Sequence, residues 1–172
     1  MSITTQSPPL SSSSPPLASP PLMPRIRRSS TWLTQELNQF LADNVNAQFV
    51  WGTLDCSLFA ADAIETMTGV DIAADFRGKY TDKTSAFALI KSLTGGTTVA
   101  DAAAYCANKY GLVEWKHPLC AQRGDLVCVD NAGAIIAGIV DLSGKRVACL
   151  GESGIIRVSI RNILCAWHVP SR

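Results

Sequence analysis

The sequence predicts an α+β fold in which helices come first and an antiparallel sheet follows. Apolar residues recur at helical spacing between residues 30 and 111, and short alternating segments separated by tight turn signals fill residues 112–169. The chain has 172 residues, of which 47% are hydrophobic and 17% charged. This composition is typical of one globular domain with a sizeable core, and it excludes a fully disordered chain.

Four helices are predicted, each from a capping residue followed by an apolar face. The predicted caps are Ser30 or Thr31, Asp55, Asp82 and Thr98, whose side-chain oxygens can accept hydrogen bonds from the first unpaired backbone N–H groups. Asp101 lies three residues after Thr98 and completes a capping-box pattern. The helices are expected to end near Asn44–Asn46, at Gly69, at Gly95–Gly96 and at Gly111.

The second half of the chain predicts six short strands. Turn signals of sequence NAG, SGK and ESG separate several of them, so we expect an antiparallel β-meander. The predicted strands cover residues 112–116, 125–130, 134–141, 145–151, 155–160 and 164–169.

The chain divides into an arm and a domain. Residues 1–29 are predicted to be a Pro/Ser-rich arm that is disordered unless a partner orders it, and residues 30–172 form the folded domain. The arm has no basic segment followed by an apolar one, so it is not a secretory signal. No apolar run is long enough for a membrane span, and a net charge of +1 argues against a nucleic-acid partner.

The six cysteines predict neither a disulfide framework nor a standard metal site. No Cys-x-x-Cys pair occurs, and the alternative of a site drawn from Cys106, His117, Cys120 and Cys128 matches no common zinc spacing. We therefore expect no metal and no cofactor, and interpret most of these thiols as buried core residues.

Cys56 is the candidate nucleophile, because it is the first residue of the second predicted helix. Unpaired N–H groups and the helix dipole stabilise a thiolate at that position, and a thiolate is the nucleophile of acyl-transfer enzymes. The alternative interpretation is a buried cysteine that opens an apolar helix, and the position alone leaves both open.

Two motifs carry a resemblance to a known family. Phe49-x-Trp51-Gly52-x-x-Asp55-Cys56-Ser57 opens an apolar helix, and Arg123-Gly124-Asp125-Leu126-Val127 opens the predicted sheet. Together they resemble the NlpC-type cell-wall cysteine peptidases, which have a papain-like fold and cleave peptidoglycan stem peptides. With the segment Ala74-Asp75-Phe76-Arg77-Gly78-Lys79-Tyr80, residues 31–169 more closely resemble small proteins encoded in phage and prophage tail-gene clusters.

The resemblance implies a base at a position where this chain has isoleucine. In the peptidases a histidine on the strand after Gly-Asp-Leu-Val begins a His-Val-Gly-Ile-like segment and acts as general base. Here the matching segment is Ile136-Ala137-Gly138-Ile139, so Ile136 stands at the base position, and isoleucine cannot accept a proton. His117 and His168 are the chain's two histidines, and His168 is kept as a candidate base recruited from elsewhere.

The expected function follows from this missing group. We expect a structural or assembly protein of the phage tail, at the tip or baseplate, on a degenerate NlpC-type fold. It would be made in the bacterial host cytoplasm, reside in the virion and contact other tail proteins through its arm. The alternative is an active peptidoglycan cysteine peptidase that uses Cys56.

Overall fold

The computed structural model describes residues 25–171, which form four α-helices followed by a six-stranded sheet. The helices are α1 (Glu36–Asp43), α2 (Cys56–Thr68), α3 (Lys83–Thr94) and α4 (Val99–Lys109). The strands are β1 (Val113–Glu114), β2 (Leu126–Asn131), β3 (Ala134–Val140), β4 (Arg146–Gly151), β5 (Gly154–Ser159) and β6 (Ile163–His168). Every strand pairing is antiparallel, so the predicted α+β class is confirmed.

The sheet is a meander only in part. Strands β2 to β5 follow one another as predicted, but β6 returns to pair with β2, and β1 pairs on the outer side of β6. The order across the sheet is therefore β1-β6-β2-β3-β4-β5. Turn signals report which strands are joined by hairpins, and they carry no information on where a returning strand pairs.

Both faces of the sheet are buried, because successive apolar side chains along a strand join different clusters. On β2, Leu126 and Cys128 join the larger core with the helices, whereas Val127 and Val129 join a second apolar cluster. Side chains in a strand point to opposite faces in turn, so the second cluster lies on the face turned away from α2. Its buried members are Val127, Val129, Val140, Val147, Cys149, Val158, Ile163 and Ala166.

Three of the predicted helix starts are confirmed in detail. Asp55, Asp82 and Thr98 are the N-cap residues of α2, α3 and α4, and each side chain accepts a hydrogen bond from a backbone N–H of the first turn. The ends at Gly69 and Gly95 are also as predicted, since both glycines adopt left-handed backbone angles that cap the helix. Local capping chemistry is thus sufficient to place these helices.

Helix α1 begins later than predicted. Residues 30–35 form turns, and the helix starts at Glu36. The hydroxyl groups of Ser29 and Thr31 donate to the Glu36 carboxylate instead of capping a helix that begins beside them. The predicted apolar residues Leu37, Phe40 and Leu41 are nevertheless buried.

Residues 25–29, which the sequence assigns to the arm, pack against the domain. Ile26 is buried in the core, and Arg28 pairs its backbone with Ser171 and its guanidinium with Asp125. The remaining arm, residues 1–24, lies outside the described residues. None of the helices found in residues 25–171 has the length and apolar character required to span a bilayer.

Candidate active-site cleft

An open cleft lies between the helices and the β2–β3 hairpin. Its volume is about 730 Å³, within the range of small-molecule and peptide sites. Apolar and aromatic side chains form most of its wall, among them Phe49, Trp51, Phe87, Ile90 and Val99. Lys83 and Glu152 contribute charge to the lining, and Cys56 lies in the wall at the start of α2.

Asp55 organises the chain around Cys56. Its buried carboxylate accepts hydrogen bonds from the backbone N–H groups of Ser57 (3.1 Å) and Leu58 (3.0 Å), which caps α2. It also accepts from the N–H of Gly52 and from the hydroxyl of Tyr80, the latter at 2.5 Å. These four hydrogen bonds satisfy the Asp55 carboxylate and fix it at the start of α2.

The Phe-Arg-Gly-x-Tyr segment, residues 76–80, also binds to α2. Arg77 donates to Asp62 on α2 (2.6 Å) and to Asp71 (2.8 Å), and these hydrogen bonds raise the pKa of the arginine and lower that of Asp71. Gly78 donates its N–H to the carbonyl oxygen of Gly52. The segment belongs to the motif that carries the family resemblance, and the hydrogen bonds it makes here stabilise the fold.

Burial governs the chemistry of the Cys56 sulfur. Loss of solvent raises the pKa of its thiol, and the neighbouring negative charge of Asp55 raises it further. The backbone N–H groups of Ala137 and Ser57 act in the opposite sense but do not reverse the shift. The thiol is therefore protonated at neutral pH, in contrast to the activated thiolate that the helix-start position alone suggests.

The strand residue beside the sulfur is Ala137. Ile136, the position that the resemblance assigns to the base, packs against the second cluster on the opposite face of the sheet. Ile135 and Ala137 face the helices, and Ala137 supplies the N–H group near Cys56. All three residues border the cleft, and none carries a titratable side chain.

Both histidines are engaged away from Cys56. The ring of His168 contacts the carboxylate of Asp125 through Nδ1 at 3.2 Å, and His117 Nδ1 accepts a hydrogen bond from the N–H of Leu119. Within residues 25–171 the only side chain at hydrogen-bonding distance of the Cys56 sulfur is Ser57, at 4.0 Å. The structure thus places Cys56 in the cleft and both His117 and His168 outside its contacts.

Asp125 is the centre of a second buried network that sequence reasoning left without a role. Its carboxylate accepts from Arg28 Nη2 (2.7 Å), Trp115 Nε1 (2.8 Å) and the backbone N–H groups of Gln122 and Val169. The guanidinium of Arg28 also stacks on the ring of Trp32, with 4.1 Å between its carbon and the ring centroid. The Gly-Asp-Leu-Val motif therefore joins the start of the domain to its last strand.

The other cysteines do not form a metal centre. All six are free thiols, and the described part of the chain contains no cluster of three or more His, Cys, Asp or Glu side chains arranged to hold a metal ion. Cys128 and Cys165 lie opposite each other on β2 and β6, whereas Cys106 and Cys120 lie on α4 and in a short 3-10 turn.

Comparison with models of protein families gives a match over most of the chain. The model of a family described as a domain of unknown function, DUF6950, matches residues 27–169. No curated protein and no solved structure matches the chain.

Proposed function

The chain belongs to the DUF6950 family, and we propose that it is a structural or assembly component of a phage tail, at the tip or baseplate. In this proposal its α+β domain is a degenerate form of the papain-like NlpC-type peptidase fold. The protein is made in the bacterial host cytoplasm and becomes part of the virion. The assignment to phage tails rests on the sequence motifs around Cys56 and Tyr80, and the loss of hydrolysis rests on the cleft.

One observation supports the loss of hydrolysis: within residues 25–171 no imidazole or carboxylate is hydrogen-bonded to the Cys56 sulfur. Ile135 and Ala137 face the helices beside it, and both histidines make their contacts elsewhere. A cysteine peptidase needs a base to generate the thiolate and an acid to protonate the leaving amine, and such help contributes about 10²–10⁴-fold to the rate. A buried thiol with a raised pKa supplies neither group.

The contact with other tail proteins is assigned to the arm. Arg28 fixes the start of the domain to Asp125, so the chain preceding it leaves from a defined point. The two arginines at that exit, Arg25 and Arg27, are exposed. Their charge suits an acidic surface on a neighbouring subunit, and the uncharged segment before them can order on that subunit as it binds.

Complementation of a phage that lacks this gene tests the proposal. We expect Cys56→Ala to leave plaque number and virion incorporation unchanged, as Cys120→Ala does, because the sulfur has no chemical task. Deletion of residues 1–24 should lower incorporation by contrast. A loss of infectivity specific to Cys56→Ala, with normal protein levels, would contradict the assembly role and favour chemistry at the sulfur.

A second candidate function, a peptidoglycan cysteine peptidase, is favoured by the position of Cys56. The residue opens a helix of 13 residues and lies in the wall of the cleft. Incubation of the purified chain with peptidoglycan and a reducing agent distinguishes the two functions. We expect no release of stem peptides, whereas release that Cys56→Ala abolishes would establish the peptidase.

A further inference from the structure

The cleft has the features of a groove for an extended, proline-rich peptide. Phe49 and Trp51 pack edge to face with 4.9 Å between their ring centroids, and both are half-buried in its wall. The indole N–H of Trp51 donates to no acceptor among the residues that the structure describes. Aromatic walls with free N–H donors are what polyproline II segments bind, because their carbonyl groups point outward and are unpaired.

The arm supplies such a segment. The sequence Ser-Pro-Pro-Leu occurs three times in it, at residues 7–10, 14–17 and 19–22. Residues 1–24 contain no charged side chain, so no charge has to be desolvated in an apolar cleft. Proline fixes φ in advance, which lowers the conformational entropy lost when the segment binds.

We propose that, in the free chain before a neighbouring subunit binds the arm, the arm folds back onto its own domain and occupies the cleft through its second Ser-Pro-Pro-Leu segment, residues 14–17. The prolines contact Phe49 and Trp51, the Trp51 N–H donates to a carbonyl of the arm, and a leucine enters the apolar interior beside Ile90 and Val99. The arm thereby covers Cys56. This occupancy does not depend on the assembly role and stands if that role fails.

The chain length permits this arrangement within one molecule. The domain begins beside the far end of α2, where the N–H of Ser29 donates to the carbonyl oxygen of Met67. Cys56 is at the opposite end of that helix, which is about 20 Å long at 1.5 Å per residue. The eight steps from Arg25 back to Leu17 span about 25 Å in a polyproline II conformation, so the second repeat can reach the cleft.

Photo-cross-linking of the full chain tests the proposal directly. Leu17 is replaced by p-benzoylphenylalanine, and natural-abundance and ¹⁵N-labelled chains are mixed before irradiation and peptide mapping. We expect cross-links to peptides that contain Trp51, Phe87 or Val99, joined light to light or heavy to heavy. The same probe at Thr4, outside the repeats, is the matched control and should give no enrichment of these peptides.

Two outcomes overturn the proposal. Cross-links from Leu17 that avoid the cleft show that the arm does not bind there, and links that join only light to heavy chains show that a second copy supplies the arm. An independent readout uses a fluorescent apolar dye and the triple variant Leu10→Ser, Leu17→Ser, Leu22→Ser. We expect a several-fold rise in dye binding relative to Ser11→Ala, Ser12→Ala, Ser13→Ala, and an unchanged level also overturns the proposal.

Discussion

At the scale of single residues, Gly52 shows how closely the motif before Cys56 is packed. Its φ is +72°, and an added Cβ would lie 1.9 Å from the carbonyl oxygen of Tyr80. No L-residue fits without movement of the backbone that carries Tyr80, and Tyr80 donates to Asp55. Packing at the start of α2 therefore requires glycine at position 52, and this glycine needs no catalytic role to explain it.

We expect Gly52→Ala to reduce the free energy of unfolding by more than about 3 kcal/mol, because the clash adds to the cost of a left-handed alanine. Gly69→Ala is the matched control: its φ is +77°, but nothing lies within 4 Å of the added Cβ. That variant should lose only about 1–2 kcal/mol from backbone strain. Urea unfolding followed by tryptophan fluorescence measures both, and equal losses would contradict the close-packing argument.

At the scale of elements, one buried ion pair holds the start of the domain to its last strand. Arg28 and Asp125 have side chains that are 3% and 0% exposed, and their charged atoms are 2.7 Å apart. Burial lowers the pKa of Arg28, while the Asp125 carboxylate opposes that shift. The Nε atom of Arg28 has no partner among the described residues, so this arginine is held chiefly through its contacts with Asp125 and Trp32.

Removal of the arginine should therefore destabilise the domain. We expect Arg28→Met to lower the free energy of unfolding by about 3–5 kcal/mol, because it leaves the Asp125 carboxylate buried without its cation. Arg27 is exposed, and Arg27→Met should change stability by less than about 0.5 kcal/mol. Thermal unfolding by circular dichroism compares the two, and similar melting temperatures would show that the pair contributes little.

The elements also show what local sequence can and cannot predict. Caps such as Asp55 and Asp82 were predicted because the capping hydrogen bonds join residues two or three apart. The late start of α1 was missed because Ser29 and Thr31 use their hydroxyls on Glu36, which is a competing contact that capping rules do not include. Contacts between distant segments, such as Arg28 with Asp125, leave no local signal at all.

In the candidate site, too, the sequence predicts the local features and misses the contacts between distant residues. Cys56 at the start of α2 followed from the sequence, since its cap is local. Which face of β3 meets the sulfur depends on the packing of sheet against helix, and the register places Ala137 there with Ile136 on the other side. Tyr80 was part of a recognised segment, but its bond to Asp55 became evident only when residues 25 positions apart were brought together.

At the scale of the whole molecule, buried thiols make stability depend on pH. Burial raises the pKa of Cys56, and it raises those of Cys106 and Cys149 to about 12. The unfolded chain releases these protons near the ordinary thiol pKa of about 8.5, whereas the folded chain keeps them. The folded state then binds more protons than the unfolded state, so stability must fall as pH rises above that value.

We expect the contribution of the buried thiols to the free energy of unfolding to be nearly constant below about pH 8. Between about pH 9 and 11 it should decline steadily. The slope should approach about 1.4 kcal/mol per pH unit for each buried thiol. Urea titrations at several pH values measure it. Cys149→Ala should reduce the slope, Cys120→Ala should not, and a flat curve across this window would refute the assignment of these thiols as buried and neutral.

The contact between Arg28 and Ser171 has a mechanical consequence. The two residues form a parallel bridge, and the N–H of Arg28 donates to the carbonyl oxygen of Pro170. In a parallel pair the preceding segment leaves in one direction and the following segment in the other. Tension applied between the arm and the far end of the chain therefore shears this bridge and the Arg28–Asp125 pair together, instead of peeling them apart one bond at a time.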